Sequence, residues 1–149
     1  MNIKIIEGKI ELLEPITQLY NEYMLFYKQP SNIPKYRAYL KDRMLQDNTI
    51  FCLAVDANNN AVGFTQNFNS YSSLSLHPIL VLNDLFVSSN YRRKGIAEML
   101  IKKTFQLAKK ANMFRVDLRT SKDNTGAQKL YNKMNFIRDE NVYTYRCEL

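Results

Sequence analysis

The chain is poor in the residues that mark specialised architectures: its 149 residues include two cysteines, four glycines, four prolines, one histidine and no tryptophan. Cys52 lies inside an apolar run and Cys147 near the far end, a pair that supplies neither a disulfide framework nor a metal-ligand spacing. Both read as structural thiols in a reducing compartment. The few glycines and prolines are spread without a biased tract, which excludes low-complexity arms, long linkers and internal repeats. No segment approaches the ~18 consecutive apolar residues of a membrane span, and the opening residues lack the basic-then-apolar order of an export signal. The expected location is cytoplasmic, with no membrane partner.

What is present is a core and an excess of positive charge. With 46% hydrophobic and 23% charged residues, residues 1–149 have the length and apolar content of one domain. The formal net charge of +7 implies an anionic partner, and a positive field alone does not choose among nucleic acid, a membrane surface and a phosphorylated cofactor. Arg92, Arg93 and Lys94 form a local cluster, and Lys102, Lys103, Lys109 and Lys110 follow on a predicted helix. No nucleic-acid-binding module signature accompanies them, so nucleic acid is not the expected partner.

Apolar spacing sets the elements. Residues 2–7 read as a short strand, after which Leu12, Ile16, Leu19, Tyr20, Tyr23 and Tyr27 recur at helical spacing. A second helix is predicted from Pro34, which suits a first helical position, with Asn32 as its cap. The partly β-branched run 49–55, the turn-rich stretch 56–60 and the run 61–68 predict a hairpin. Residues 79–87 are apolar apart from Asn83 and Asp84 and read as a buried central strand, in which polar residues need a reason. Ala97, Leu100, Ile101, Thr104, Phe105, Ala108 and Ala111 mark one face of the best-patterned helix. A strand over 114–120 follows, then a helix from about Asn124 with Ala127, Leu130, Tyr131 and Met134 on one face, then closing strands over 136–139 and 142–148. This order describes an α+β fold, a mixed central β-sheet flanked by about four helices.

A strand that ends near Ser88, three cations, Gly95 and then a helix make a physically sensible anion site. The first amides of a helix have no intrahelical partner, and the helix dipole adds partial positive charge at the same end. Gly95 permits close backbone approach and Ala97 keeps the next turn small. Taken alone, the pattern Arg-x-x-Gly-x-Ala reads first as a solvated basic turn that caps a helix.

Two longer runs carry more information. LNDLFVSSNYRRKGIAEMLI (82–101) resembles the acetyl-CoA motif of the GNAT superfamily, in which a strand bearing Asp-Leu-Phe-Val precedes Arg/Gln-x-x-Gly-x-Gly/Ala. TSKDNTGAQKLYNKMNFIRD (120–139) resembles the superfamily's second motif, Asn-x-x-Ala-x-x-Leu-Tyr-x-Lys-x-Gly-Phe, with Asn135 in place of its usual glycine. Asparagine is the next best residue for a left-handed helix terminus. The resemblance extends over nearly the whole chain and implies the GNAT (acyl-CoA N-acyltransferase) fold with acetyl-CoA as cosubstrate. Its nearest likeness is to the branch that includes polyamine and histone-tail acetyltransferases. That implies direct attack on the thioester by a primary amine, of a small molecule such as a polyamine or of a lysine side chain. It also implies a homodimer, with 142–149 pairing against a partner chain. An acetyl-CoA-binding sensor without turnover is the alternative on the same fold.

The resemblance implies residue roles as well. Leu85, Phe86 and Val87 would pair through their main chain with the pantetheine arm, and the amide of Phe86 or its neighbour would polarise the thioester carbonyl. Arg92, Arg93, Lys94, Gly95, Ile96 and Ala97 would cradle the pyrophosphate, and Asn124 would hydrogen-bond the pantetheine. Tyr131 would protonate the departing thiolate, although without the motif it reads as a packing residue on an amphipathic face. Asp84 is the candidate general base, with Glu22 behind it, and Asp84 reads equally as a structural hydrogen-bond acceptor. No metal is expected. His77, before Pro78, is a loop histidine that is either solvated or a substrate contact. Tyr20, Tyr23, Tyr27, Tyr36 and Tyr39 would border the acceptor site, most as packing and one or two in contact with the amine.

Overall fold

The structure, a computed structural model, describes residues 1–149. They divide into two compact units, Met1–Arg119 and Thr120–Leu149.

In the first unit the predicted hairpin forms between β2 (Thr49–Val55) and β3 (Ala61–Ser72). Asp56 makes the turn, its Oδ1 accepting from the amides of Asn58 and Asn60 at 2.9 Å each. β1 (Lys4–Gly8) lies antiparallel on the other edge of β2, and β4 (His77–Val87) lies antiparallel to β3. β5 (Val116–Leu118) is parallel to β4, so the five-stranded sheet, ordered β1-β2-β3-β4-β5, is mixed as expected. A parallel pair needs a crossover, and α3 (Ile96–Lys110) supplies it. β5 is shorter than the strand predicted over 114–120.

Both faces of β2 are covered, which is why its sequence is apolar without alternation. Phe51, Leu53 and Val55 join Ile16, Leu19, Tyr20, Tyr36 and Leu40 in a core beneath α1 (Leu13–Phe26) and α2 (Ile33–Met44). Cys52 and Ala54 point the other way and pack with Val62, Ile96 and Leu100 beneath α3. Burial pushes the Cys52 thiol's pKa up, in keeping with a structural role, whereas Cys147 is exposed. Each fully buried Leu or Ile contributes about 1.5–3 kcal/mol of transfer free energy. The sheet approaches α1 closely at Gly8, where a Cβ would sit 2.7 Å from the Cβ of Phe51 and 3.1 Å from Ile16 Cδ1. At the start of α2, Asn32 accepts from the Lys35 amide at 3.2 Å, as its sequence position predicts, and the helix begins one residue before Pro34.

The second unit contains α4 (Thr125–Lys133). Asn124 caps it by accepting from the Ala127 amide at 3.1 Å, and Asn135 ends it in the left-handed region at φ 64. The two closing strands expected over 136–139 and 142–148 are absent, and residues 136–149 carry no regular element. A short alternating segment becomes a strand only against a partner edge, and this unit contains no other strand. Ile137, Val142, Tyr143 and Tyr145 are accordingly exposed.

Candidate functional site

The two polar residues inside β4 have a structural reason. β3 and β4 pair from Gly63↔Val87 to Gln66↔Asp84, and the register then slips so that Asn67 faces Leu82. Asn83 is the extra residue of a β-bulge, which bends a strand and re-aims its side chains. On its other edge β4 pairs with β5 only through Leu80, Val81 and Leu82. Residues 83–87 therefore have β3 on one side and no strand on the other. An open strand edge of this kind is a template for an extended partner.

Asp84 emerges from the bulge towards α1. Its Oδ1 accepts from the Tyr23 hydroxyl at 2.6 Å and its Oδ2 from Asn83 Nδ2 at 3.0 Å. A carboxylate has about four lone-pair sites, so capacity remains for a further donor. Burial, followed by the bond to Asp84, pushes the Tyr23 pKa above the ordinary phenol value, so Tyr23 remains a donor into the alkaline range. Tyr20 is pushed in the same direction, chiefly by burial. The Tyr23 ring lies 5.2 Å from Tyr20, 4.9 Å from Tyr27, 5.7 Å from Phe64 and 5.9 Å from Phe86. Tyr36 and Tyr39 reach this cluster through Tyr20. Glu22, the more distant candidate base, accepts from the Ser88 hydroxyl at 2.8 Å, at the end of β4.

The turn beyond β4 runs through a short 3-10 segment, Ser89–Tyr91, into two left-handed residues, Arg93 at φ 58 and Gly95 at φ 77. A Cβ on Gly95 would meet nothing within 4 Å, so its backbone angle and not its surroundings calls for glycine. Gly95 offers no side-chain cap, and the Met99 amide bonds the Gly95 carbonyl at 3.1 Å. The preceding amides, including those of Ile96 and Ala97, come before this first helical bond, which makes the opening of the 15-residue helix an anion site in kind.

The three cations of the turn divide their work. Arg92 Nε donates to the Val87 carbonyl at 2.9 Å, and its guanidinium lies 4.8 Å from the Phe26 ring centre and 5.5 Å from that of Phe86. Lys94 Nζ donates to the Asn90 carbonyl at 2.9 Å and stands over the Tyr91 ring. Both brace the turn on itself and on β4. Arg93 is exposed and makes no ion pair or hydrogen bond.

The first unit thus brings together Asp84, Leu85, Phe86, Val87 and residues 92–97 along one strand and the turn beyond it. Leu85 and Val87 pack towards α3, and Phe86 packs towards α1. Asn124 and Tyr131 belong to the second unit, where the Tyr131 ring rests 5.7 Å from that of Phe136. His77 lies at the opposite end of β4 from Val87, bonded through Nδ1 to the Ser75 carbonyl and 5.5 Å from the Phe114 ring. Sequence reasoning missed Gln66, the buried residue opposite Asp84. Its signal was a polar pair, Gln66 and Asn67, inside an apolar strand.

The model of the acetyltransferase (GNAT) family matches residues 16–136. The chain is 31% identical over 145 residues to YhfO, an uncharacterized N-acetyltransferase of Bacillus subtilis, covering 97% of this chain and 95% of that one. It is 30% identical over 145 residues to a D-amino-acid N-acetyltransferase of Saccharomyces cerevisiae, covering 95% and 88% of the two chains. The crystal structure of a probable acetyltransferase, 30% identical, superimposes with a TM-score of 0.91 over 98% of this chain and 97% of its own.

Proposed function

This chain belongs to the acetyltransferase (GNAT) family and is an acetyl-CoA-dependent acyltransferase, and from that premise we propose that it acetylates a primary amine. The amine is carried by a small molecule, such as a polyamine, or by a lysine side chain. The observation that carries this reading is the alignment, along β4, of an open edge at 83–87, a carboxylate at Asp84 and an anion-binding helix start just beyond.

These features fit acetyl-CoA, which supplies an activated acetyl thioester when bound. The main chain of Leu85, Phe86 and Val87 would hold the pantetheine arm as an added strand, with the Phe86 amide or its neighbour polarising the carbonyl. The amides at Gly95, Ile96 and Ala97, with the Arg93 cation, would hold the pyrophosphate, while Arg92 and Lys94 keep the turn in shape. Asn124, whose Oδ1 caps α4, would reach the pantetheine through its NH2 group. Tyr131 would donate a proton to the departing thiolate, a phenol of pKa ~10 facing a thiol of pKa ~8.5.

The acceptor must attack as a neutral amine. At pH 7 only about 1 in 2,500 lysine-like amines is neutral, an offset of roughly 4.6 kcal/mol. The ammonium first gives up one proton to water; Asp84 then accepts a hydrogen bond from the neutral amine on its remaining lone pairs and takes the second proton from nitrogen once the bond to carbon forms, when that proton has become far more acidic. Tyr23 orients the carboxylate for both tasks. The test is thiol release from acetyl-CoA across polyamines, aminoglycosides, amino acids and lysine peptides. Turnover of at least one primary amine is expected, and turnover of none refutes the proposal.

A further inference from the structure

Gln66 is buried with no exposure, and neither Nε2 nor Oε1 of its amide has a partner. Its neighbour Asn67 is less exceptional, since its Nδ2 donates to the Ile50 carbonyl and to Thr65 Oγ1, so only its oxygen is unmatched. Both ends of a buried amide left unmatched destabilise a fold, and a leucine of similar volume would avoid that cost. Such a residue needs an explanation in what it binds.

Its position supplies one. In the register of the sheet Gln66 stands between Phe51 on β2 and Asp84 on β4. Directly paired residues share a face, with Cβ atoms about 4.5–5.5 Å apart, so Gln66 lies on the side of the sheet that carries Asp84. Two residues before it on the same strand, Phe64 packs against Tyr20 and Tyr23 at 5.9 Å and 5.7 Å. Gln66 and Asp84 thus lie side by side on the face of the sheet that meets the aromatic cluster of α1.

We infer that Gln66 is a specificity residue for the acceptor, and that it selects amines bearing a hydroxyl or carbonyl on the carbon next to the aminomethylene or aminomethine carbon. The inference rests on the amine acetyltransferase reading above and, among primary amines, moves the expected acceptor away from polyamines and lysine side chains, which carry no such oxygen. A primary amide offers one acceptor and one donor side by side. The matching ligand offers a donor and an acceptor in the same arrangement: the amine nitrogen, which donates to Oε1, and a neighbouring oxygen, which accepts from Nε2. Amino alcohols, amino sugars and aminoacyl groups have this pattern. A plain alkylamine satisfies one end and leaves the other orphaned, and a site with an unpaired polar group discriminates strongly against such a ligand.

The test compares 2-aminoethanol with n-propylamine, which have the same number of heavy atoms, in thiol release by the wild type, Gln66→Leu and Gln66→Met. In the wild type kcat/KM is expected to favour 2-aminoethanol after correction for the neutral fraction of each amine. Each substitution should lower kcat/KM for 2-aminoethanol by at least about tenfold through KM, change that for n-propylamine by less than about threefold, and leave the KM for acetyl-CoA unchanged. Neither should lower the melting temperature, because each removes an unpaired amide. Unchanged acceptor preference in both variants overturns the inference while leaving amine acetylation standing. So does a lower melting temperature with unchanged kinetics, which would mark the amide as satisfied within the fold. Thiol release that no amine raises above the amine-free rate refutes the underlying acetyltransfer reading instead.

Discussion

Replacing Tyr23 by Phe removes one hydroxyl and keeps the ring, so the aromatic contacts to Tyr20, Tyr27, Phe64 and Phe86 survive. What is lost is the 2.6 Å bond to Asp84. Hydrogen bonds to charged groups contribute about 1.5–3 kcal/mol. Asp84 is half-buried and keeps Asn83 as a donor, which places the cost at the low end, about 1.5–2 kcal/mol. In a chain of this size that corresponds to a fall of about 3–8 °C in melting temperature. The pH dependence has a definite sign. Burial and the Asp84 bond raise the folded Tyr23 pKa above the ordinary phenol value of ~10, so the stabilisation is complete below pH ~10. Above that, the unfolded tyrosine ionises while the folded one resists, and the contribution declines as pH rises further. Phe has no proton to lose, so the stability gap between wild type and variant should be full at pH 7 and narrower at pH 11. Urea denaturation at both values measures it. No gap at pH 7, or one that widens with pH, would show that the hydroxyl does not support Asp84 in the way argued.

Two further substitutions address the cofactor side. Gly95→Ala meets no neighbour but must hold φ at 77, a left-handed conformation that costs a residue with a Cβ about 1–2 kcal/mol; a several-fold rise in the KM for acetyl-CoA with little change in acceptor KM is expected from steady-state kinetics, and equal acetyl-CoA KM values would detach this turn from the pyrophosphate. Tyr131→Phe should lower kcat while leaving acetyl-CoA affinity, read by calorimetry, within about twofold, and an unchanged kcat would remove the phenol from proton transfer.

How far the sequence reveals this site depends on the range of the interaction that builds it. The Asn32 cap, the start of a helix near Asn124, the left-handed Asn135 and the helix that opens after Gly95 are local, set within four residues of chain, and were legible. The hairpin of β2 and β3 was legible for the same reason, because Asp56 organises its turn by itself. The closing strands were not, since an alternating pattern such as that of 142–148 states which face is apolar and not whether a partner edge exists. The functions assigned to Asn124 and Tyr131 came from motif resemblance, whereas the aromatic cluster beside Asp84 came from packing across more than sixty residues, as the Tyr23–Asp84 separation of 61 positions records.

Gln66 shows why the last step is out of reach of pattern reading. From Asn67↔Leu82, an unbroken ladder would set Gln66 against Asn83, and Asp84 would fall on the other face. The single extra residue in β4 moves the pairing by one, and a one-residue slip exchanges the two faces of a strand. Nothing in the local sequence of either strand fixes that slip, because it reflects how β3 and β4 settle between the core under α1 and α2 and the core under α3. The same bulge ends the regular ladder at the point where pairing with β5 stops, at Leu82. One inserted residue therefore opens the strand edge, turns a carboxylate towards the aromatic cluster of α1 and sets a buried amide beside it, so the candidate cofactor edge and the candidate acceptor contacts have a common structural origin.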